Sequence, residues 1–180
     1  MFNAIKNISS DYADIENAKK MALYSQAAAV IASKAGVDGM VGGQSLDVYL
    51  TDKPMDKEQL DYIFRLKTGA LIEAAFMAGG ILAECDEKTQ GLLCKAGYNV
   101  GFAFQIKDDI LDVTSTQEVL GKPVLSDERN NKTTYVTLYG LEKAEKDTYD
   151  MSKEAMGIIK SIGHNEYLEE LINMLIHRNK

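Results

Sequence analysis

Only two prolines, Pro54 and Pro123, fall within the 180 residues, and the stretches between them are rich in alanine, leucine and methionine at helical spacing. Proline is the residue a helix interior tolerates least, so its scarcity leaves the chain free to form long helices. Apolar–polar alternation never runs beyond a few positions, and no internal repeat or low-complexity tract appears. The expected class is therefore all-α, one domain over residues 1–180.

Local signals divide the chain further. A first helix is expected from about Asp11 to Ala35, opened by Ser9, Ser10 or Asp11 and closed by Gly36. The glycine-rich stretch from Gly36 to Leu50 reads as a loop or a short helix; it lacks the Gly-Lys-Ser/Thr ending of a P-loop and follows no strand. Beyond Pro54, Asp56 and Gln59 stand in a capping-box arrangement, and a third helix runs to about Glu84. Its expected apolar stripe is Leu60, Phe64, Leu71, Ala75, Ala78 and Leu82. A fourth helix runs from near Asp86 to about Val113, followed by a polar loop through Asn131. Two more helices follow, at about 133–162 with a break near Gly140 and at 165–178.

With 46% hydrophobic residues the chain carries enough apolar surface to bury a core, which excludes intrinsic disorder. Its 27 acidic against 20 basic side chains leave a net charge of −7, so it has no general positive field for nucleic acid or anionic membranes. Cys85 and Cys94 match no disulfide framework or zinc spacing and read as buried reduced thiols, which agrees with a cytoplasmic setting. The first residues do not resemble a secretory leader. The longest apolar stretch, from Ala70 to Ala83, is interrupted by Glu73 and falls short of the ~20 residues of a membrane span.

The chemistry concentrates in Gly101-Phe-Ala-Phe-Gln-Ile-Lys-Asp-Asp-Ile-Leu-Asp112. At about 100° per residue, with Gln105 at zero, Asp108 falls near −60°, Asp109 near +40° and Asp112 near −20°. These four polar groups share one face, and Ala103, Phe104, Ile106, Ile110 and Leu111 lie on the other. Three carboxylates within one helical turn repel one another, and the helix dipole disfavours each by about 0.3–1 kcal/mol at a C-terminus. A positive partner is expected. Magnesium accepts one or two carboxylates together with substrate phosphate oxygens, which suits aspartates at i and i+4; the alternative is a solvated acidic face. On the third helix Lys67 falls within the inward stripe, where a lysine either snorkels or meets an anion. Thr68 beside it offers a hydroxyl. Lys122 and Lys132 flank the loop after the acidic row, with Asp127 between them. No Ser/His/Asp or Cys/His set is evident, and His164 and His177 read as surface or interhelix residues.

Taken together, Lys67-Thr-Gly-Ala-Leu71, Phe104-Gln-Ile-Lys-Asp-Asp-Ile-Leu-Asp112, Leu120-Gly-Lys-Pro and Asn131-Lys-Thr-Thr-Tyr135 resemble the C-terminal half of a trans-isoprenyl diphosphate synthase. Gly39-Met-Val-Gly-Gly-Gln-Ser-Leu-Asp47 is similar to the Gly-Gln-x-Leu-Asp segment of that family, and Arg178-Asn-Lys180 resembles the ending of its bacterial farnesyl-forming members. The resemblance implies an antiparallel helical bundle of the isoprenoid synthase type. It implies a prenyltransferase that condenses an allylic diphosphate head to tail with isopentenyl diphosphate, with Mg2+ held between two aspartate-rich motifs. By that resemblance Asp108, Asp109 and Asp112 are metal ligands, and Lys67 and Thr68 contact the allylic diphosphate. Gln44, Asp47 and Gln105 line the cavity, while Lys122 and Lys132 close over the phosphates. It also implies a homodimer built through helices at residues 11–36 and 56–84.

The first aspartate-rich motif, the arginines after it and the residues that bind isopentenyl diphosphate have no counterpart in these 180 residues. The expectation is a half enzyme whose metal site is incomplete and which has little or no activity alone. A longer-chain polyprenyl synthase, a non-catalytic regulatory subunit and a plain helical interaction module are the alternatives.

Overall fold

A computed structural model describes residues 15–115 and 133–178, and every regular element among them is helical. In chain order these are α1 (Ile15–Ala35), α2 (Met40–Tyr49), α3 (Lys57–Phe64), a π-helical turn (Arg65–Gly69), α4 (Ala70–Leu82), α5 (Glu87–Thr114), α6 (Tyr135–Tyr139), α7 (Leu141–Ile162) and α8 (Glu166–His177). None of them is long and apolar enough to cross a membrane.

Side chains cap orphan amides at the starts of α3, α5, α6 and α8. At α3 the box closes in both directions: Gln59 N–H donates to Asp56 Oδ1 at 2.9 Å, and Asp56 N–H donates to Gln59 Oε1 at 3.0 Å. Asp86 caps α5 by accepting from Thr89 N–H at 2.8 Å. The expected break near Gly140 separates α6 from α7, and its φ of 83° is one that glycine adopts readily. The glycine-rich stretch after Gly36 turns out to contain helix α2. The expected beginning of the first helix at Asp11, with Ser9 and Ser10, lies outside the described residues.

The long α5 is the centre of the bundle, with α4 and the π-turn on one side and α7 on the other; α1 covers the far side of α4, and α8 leans on α7. One core gathers Leu60, Ile63, Phe64, Phe102, Ile106, Ile110 and Tyr135, and a second gathers Ala96, Val100, Ala155, Ile158, Ile159 and Ile172. The expected stripe on the third helix holds at Leu60, Phe64 and Ala78, whereas Leu71, Ala75 and Leu82 are exposed. Ala70, Ala74 and Ile81 are buried in their place, because α4 is wedged between two helices and its smaller side chains face the contacts. Lys34 of α1 reaches Glu73 of α4, which is only 3% exposed, and pairs with its Oε2. Cys85 and Cys94 are free thiols, but both are half-buried rather than buried as expected. Burial, with the nearby Glu73 carboxylate, pushes the Cys94 thiol above its usual range, so it stays protonated.

Candidate functional site

Two glycines build the site. Gly43 of α2 packs directly on the π-turn: a Cβ there would lie 2.8 Å from Leu66 Cβ and 2.9 Å from its carbonyl carbon, and closer still to Lys67 N. From the opposite side, a Cβ on Gly101 of α5 would lie 2.6 Å from Gly69 Cα. The turn that carries Lys67 and Thr68 is thus clamped between two helices at backbone contact, and such π-turns are often found at functional sites.

Along α5, Gly101 falls near −40° on the scale that puts Gln105 at zero, so Gly101, Gln105, Asp108 and Asp112 fall within about 60° of one another. The helix is continuous through this stretch. The face that meets the π-turn at Gly101 is therefore the face that bears Gln105 about 6 Å further along, then Asp108 at about 10 Å and Asp112 at about 16 Å.

Two of the three carboxylates are buried, Asp109 at 8% exposed and Asp112 at 2%. Each aspartate has its own surroundings. Asp108, whose side chain is 45% exposed, pairs through Oδ1 with Arg178 Nη2. The same nitrogen donates to the Phe104 carbonyl at 3.2 Å, and the guanidinium lies 3.7 Å from the centroid of the Phe104 ring. Asp109 Oδ2 accepts Tyr135 N–H at 2.6 Å. Among the described residues no group of three Asp, Glu, His or Cys side chains converges to hold a metal ion. Asp108 and Asp112 lie one turn apart on one face of α5.

Lys67 donates to Asp47 Oδ2 at 2.6 Å, with side chains 32% and 13% exposed. Two residues expected at the site are thereby brought together, and the anion that meets Lys67 is a carboxylate of α2. Gln44, also on α2, is exposed; Thr68 and Gln105 are half-buried. Lys122 and Lys132 lie outside the described residues. The positive partner expected for the acidic row is supplied at Asp108 by Arg178. Sequence reading noted this residue within a similar C-terminal ending but assigned it no role, since the two stand 70 positions apart.

The polyprenyl synthetase family model matches residues 3–175. Among curated relatives, the farnesyl diphosphate synthase of Micrococcus luteus is 40% identical over 84% of the chain and 52% of its own length. That of Escherichia coli K12 is 35% identical over 95% of the chain and 58% of its own length. The chain thus spans little more than half the length of either relative. Among solved structures, a geranyltransferase from Helicobacter pylori, complexed with magnesium and isoprenyl diphosphate, is similar with a TM-score of 0.71. It is 28% identical, and the match covers 96% of this chain and 55% of that one.

Proposed function

Because this chain belongs to the polyprenyl synthetase family, we propose that it provides the diphosphate-handling part of a farnesyl-type isoprenyl diphosphate synthase, which joins an allylic diphosphate to isopentenyl diphosphate. The observation that carries this reading is the shared face of α5: the helix side that meets the Lys67–Thr68 turn at Gly101 also bears Gln105, Asp108 and Asp112.

In this reading Asp108 and Asp112 hold magnesium, which when bound neutralises charge growing on the departing diphosphate. Lys67 leaves Asp47 for a diphosphate oxygen, and the Thr68 hydroxyl donates to the same group. Gln44, Asp47 and Gln105 line the allylic cavity, and Lys122 and Lys132 cover the phosphates. With the Asp108 counter-charge held by Arg178, the row pays less self-repulsion before ligands arrive. No side-chain nucleophile is needed, because isopentenyl diphosphate attacks the allylic carbon and a proton then passes to the released diphosphate.

The first aspartate-rich motif is not among the 180 residues, so in this reading these residues alone have little or no condensation activity, and two copies pair as a cytoplasmic homodimer. Exposed Ile31, Tyr62, Leu71 and Leu82, within the stretches 11–36 and 56–84, supply apolar surface suited to that pairing. Thermal denaturation with Mg2+ and inorganic diphosphate, separately and together, tests the reading. Ligands that bind only the folded state at about 100 times Kd stabilise by about 2.7 kcal/mol, or roughly 5–10 °C for a chain of this size. The shift requires both ligands together and is lost in Asp108→Asn and Asp112→Asn. No shift at millimolar magnesium and diphosphate would overturn it.

A further inference from the structure

The three carboxylates of the acidic row do not do the same work. We propose that Asp109 is not a metal ligand but a positioning residue, which sets the row against the Lys67 turn by holding the backbone of Tyr135. This inference rests on the reading of Asp108 and Asp112 as the metal-holding pair.

On α5, Asp109 sits about 100° round from Asp108 and about 60° from Asp112, on the flank of Phe102 rather than that of Gly101. Its Oδ2 accepts the N–H of Tyr135, the first residue of α6, at 2.6 Å. That amide is one of the donors a helix start leaves without an internal acceptor. The Thr134 hydroxyl accepts from Thr137 N–H at 3.1 Å, so Asp109 and Thr134 together serve the first turn of α6. A buried carboxylate accepting a backbone amide is a strong, charge-assisted contact that fixes the orientation of the acceptor.

Tyr135 carries that orientation across the site. It is 7% exposed, and its ring centroid lies 6.2 Å from those of both Phe64 and Phe102. Phe64 is the last residue before the π-turn with Lys67 and Thr68, and Phe102 lies on α5 next to Gly101. Tyr135 therefore packs on core residues that adjoin both the π-turn and Gly101. Its hydroxyl donates to Asp147 Oδ2 of α7 at 2.7 Å, and two residues earlier Thr133 Oγ1 accepts Met55 N–H at 3.1 Å. The amide that Asp109 holds thus belongs to a segment tied to α3, α5 and α7. If that hold is lost, the last turns of α5 can rotate relative to the Lys67 turn.

Charge and hydrogen-bond acceptance separate the two roles. A metal ligand needs the carboxylate charge. A backbone acceptor needs only an oxygen, which asparagine retains and alanine does not. The test uses the full 180-residue chain. Mn2+ binding in the presence of inorganic diphosphate is followed by electron paramagnetic resonance, and the Tyr135 amide by hydrogen exchange.

Removal of a group that orients metal ligands costs about 10–100-fold in metal affinity. Asp109→Ala is expected to lose at least about tenfold and the protection of the Tyr135 amide, while Asp109→Asn stays within about twofold of wild type and keeps that protection. Asp108→Asn and Asp112→Asn lose metal affinity with Tyr135 still protected. A loss in Asp109→Asn as large as that in Asp108→Asn would overturn the inference. So would unchanged metal affinity, or an unchanged Tyr135 amide, in folded Asp109→Ala. A wild-type chain that binds no Mn2+ with diphosphate would instead sink the metal reading itself, and the Tyr135 amide would still decide whether Asp109 is committed to the backbone.

Discussion

Replacing Gly101 by alanine inserts a methyl group at the crossing of α5 and the π-turn, where the added carbon would lie 2.6 Å from Gly69 Cα. Carbon atoms rest at about 3.5–4.0 Å, so the two backbones must part by about 1 Å. Both partners are main chain, and no rotamer change can relieve the clash. Overpacking of this kind costs about 1–3 kcal/mol, while alanine in a helix interior returns up to about 1 kcal/mol over glycine. Gly157 in the middle of α7 isolates the second effect, because it is exposed and a Cβ there meets nothing within 4 Å. Gly157→Ala should stabilise by about 0.5–1 kcal/mol. The difference between the two variants then reports the contact alone, about 1–3 kcal/mol. At roughly 2–4 °C per kcal/mol this is a Tm gap of roughly 2–12 °C, readable by calorimetry. A displacement of the Lys67 turn should also weaken the joint magnesium and diphosphate shift in Gly101→Ala and leave it intact in Gly157→Ala. Equal melting temperatures for the two variants would refute the close crossing and, with it, the seating of the Lys67 turn against α5.

At Asp147 burial alone raises the carboxyl pKa, but hydrogen bonds from Lys143 and Tyr135 outweigh it and hold the group below the usual carboxylate range. A lowered folded value means that its contribution is complete above the unfolded pKa of about 3.9 and disappears as pH falls through the folded value. Asp147→Asn is thus expected to melt below wild type at pH 7 and to converge with it in strong acid, and a gap that persists unchanged at low pH would contradict this account. Lys34→Met strands the buried Glu73 carboxylate and should cost up to about 3 kcal/mol. Adding Glu73→Gln to it should recover most of the loss in urea denaturation, and failure of that rescue would show that the pair contributes through packing rather than charge.

The parts of the fold legible in sequence are those decided within one helical turn. Asp56 with Gln59, Asp86 with Thr89, and the break at Gly140 all depend on residues at most three positions apart, and each lies where the sequence signals it. The side of α5 that bears the aspartates was likewise readable, because helix geometry alone sets it. Their separate partners were not. Arg178 with Asp108, Tyr135 N–H with Asp109, and Lys67 with Asp47 span 70, 26 and 20 positions, distances at which periodicity carries no information. Leu71 and Leu82 show the same limit on the apolar side: spacing marks a stripe, but the helices on either flank select which of its members are buried. The amino-acid order thus determined most of the helices, the capping box at Asp56 and the alignment of acid and amide groups on one face. Only the docking of helix on helix, through glycines that let backbones touch, decided which carboxylate meets an arginine and which a backbone amide, because those choices depend on steric fit between segments remote in the chain.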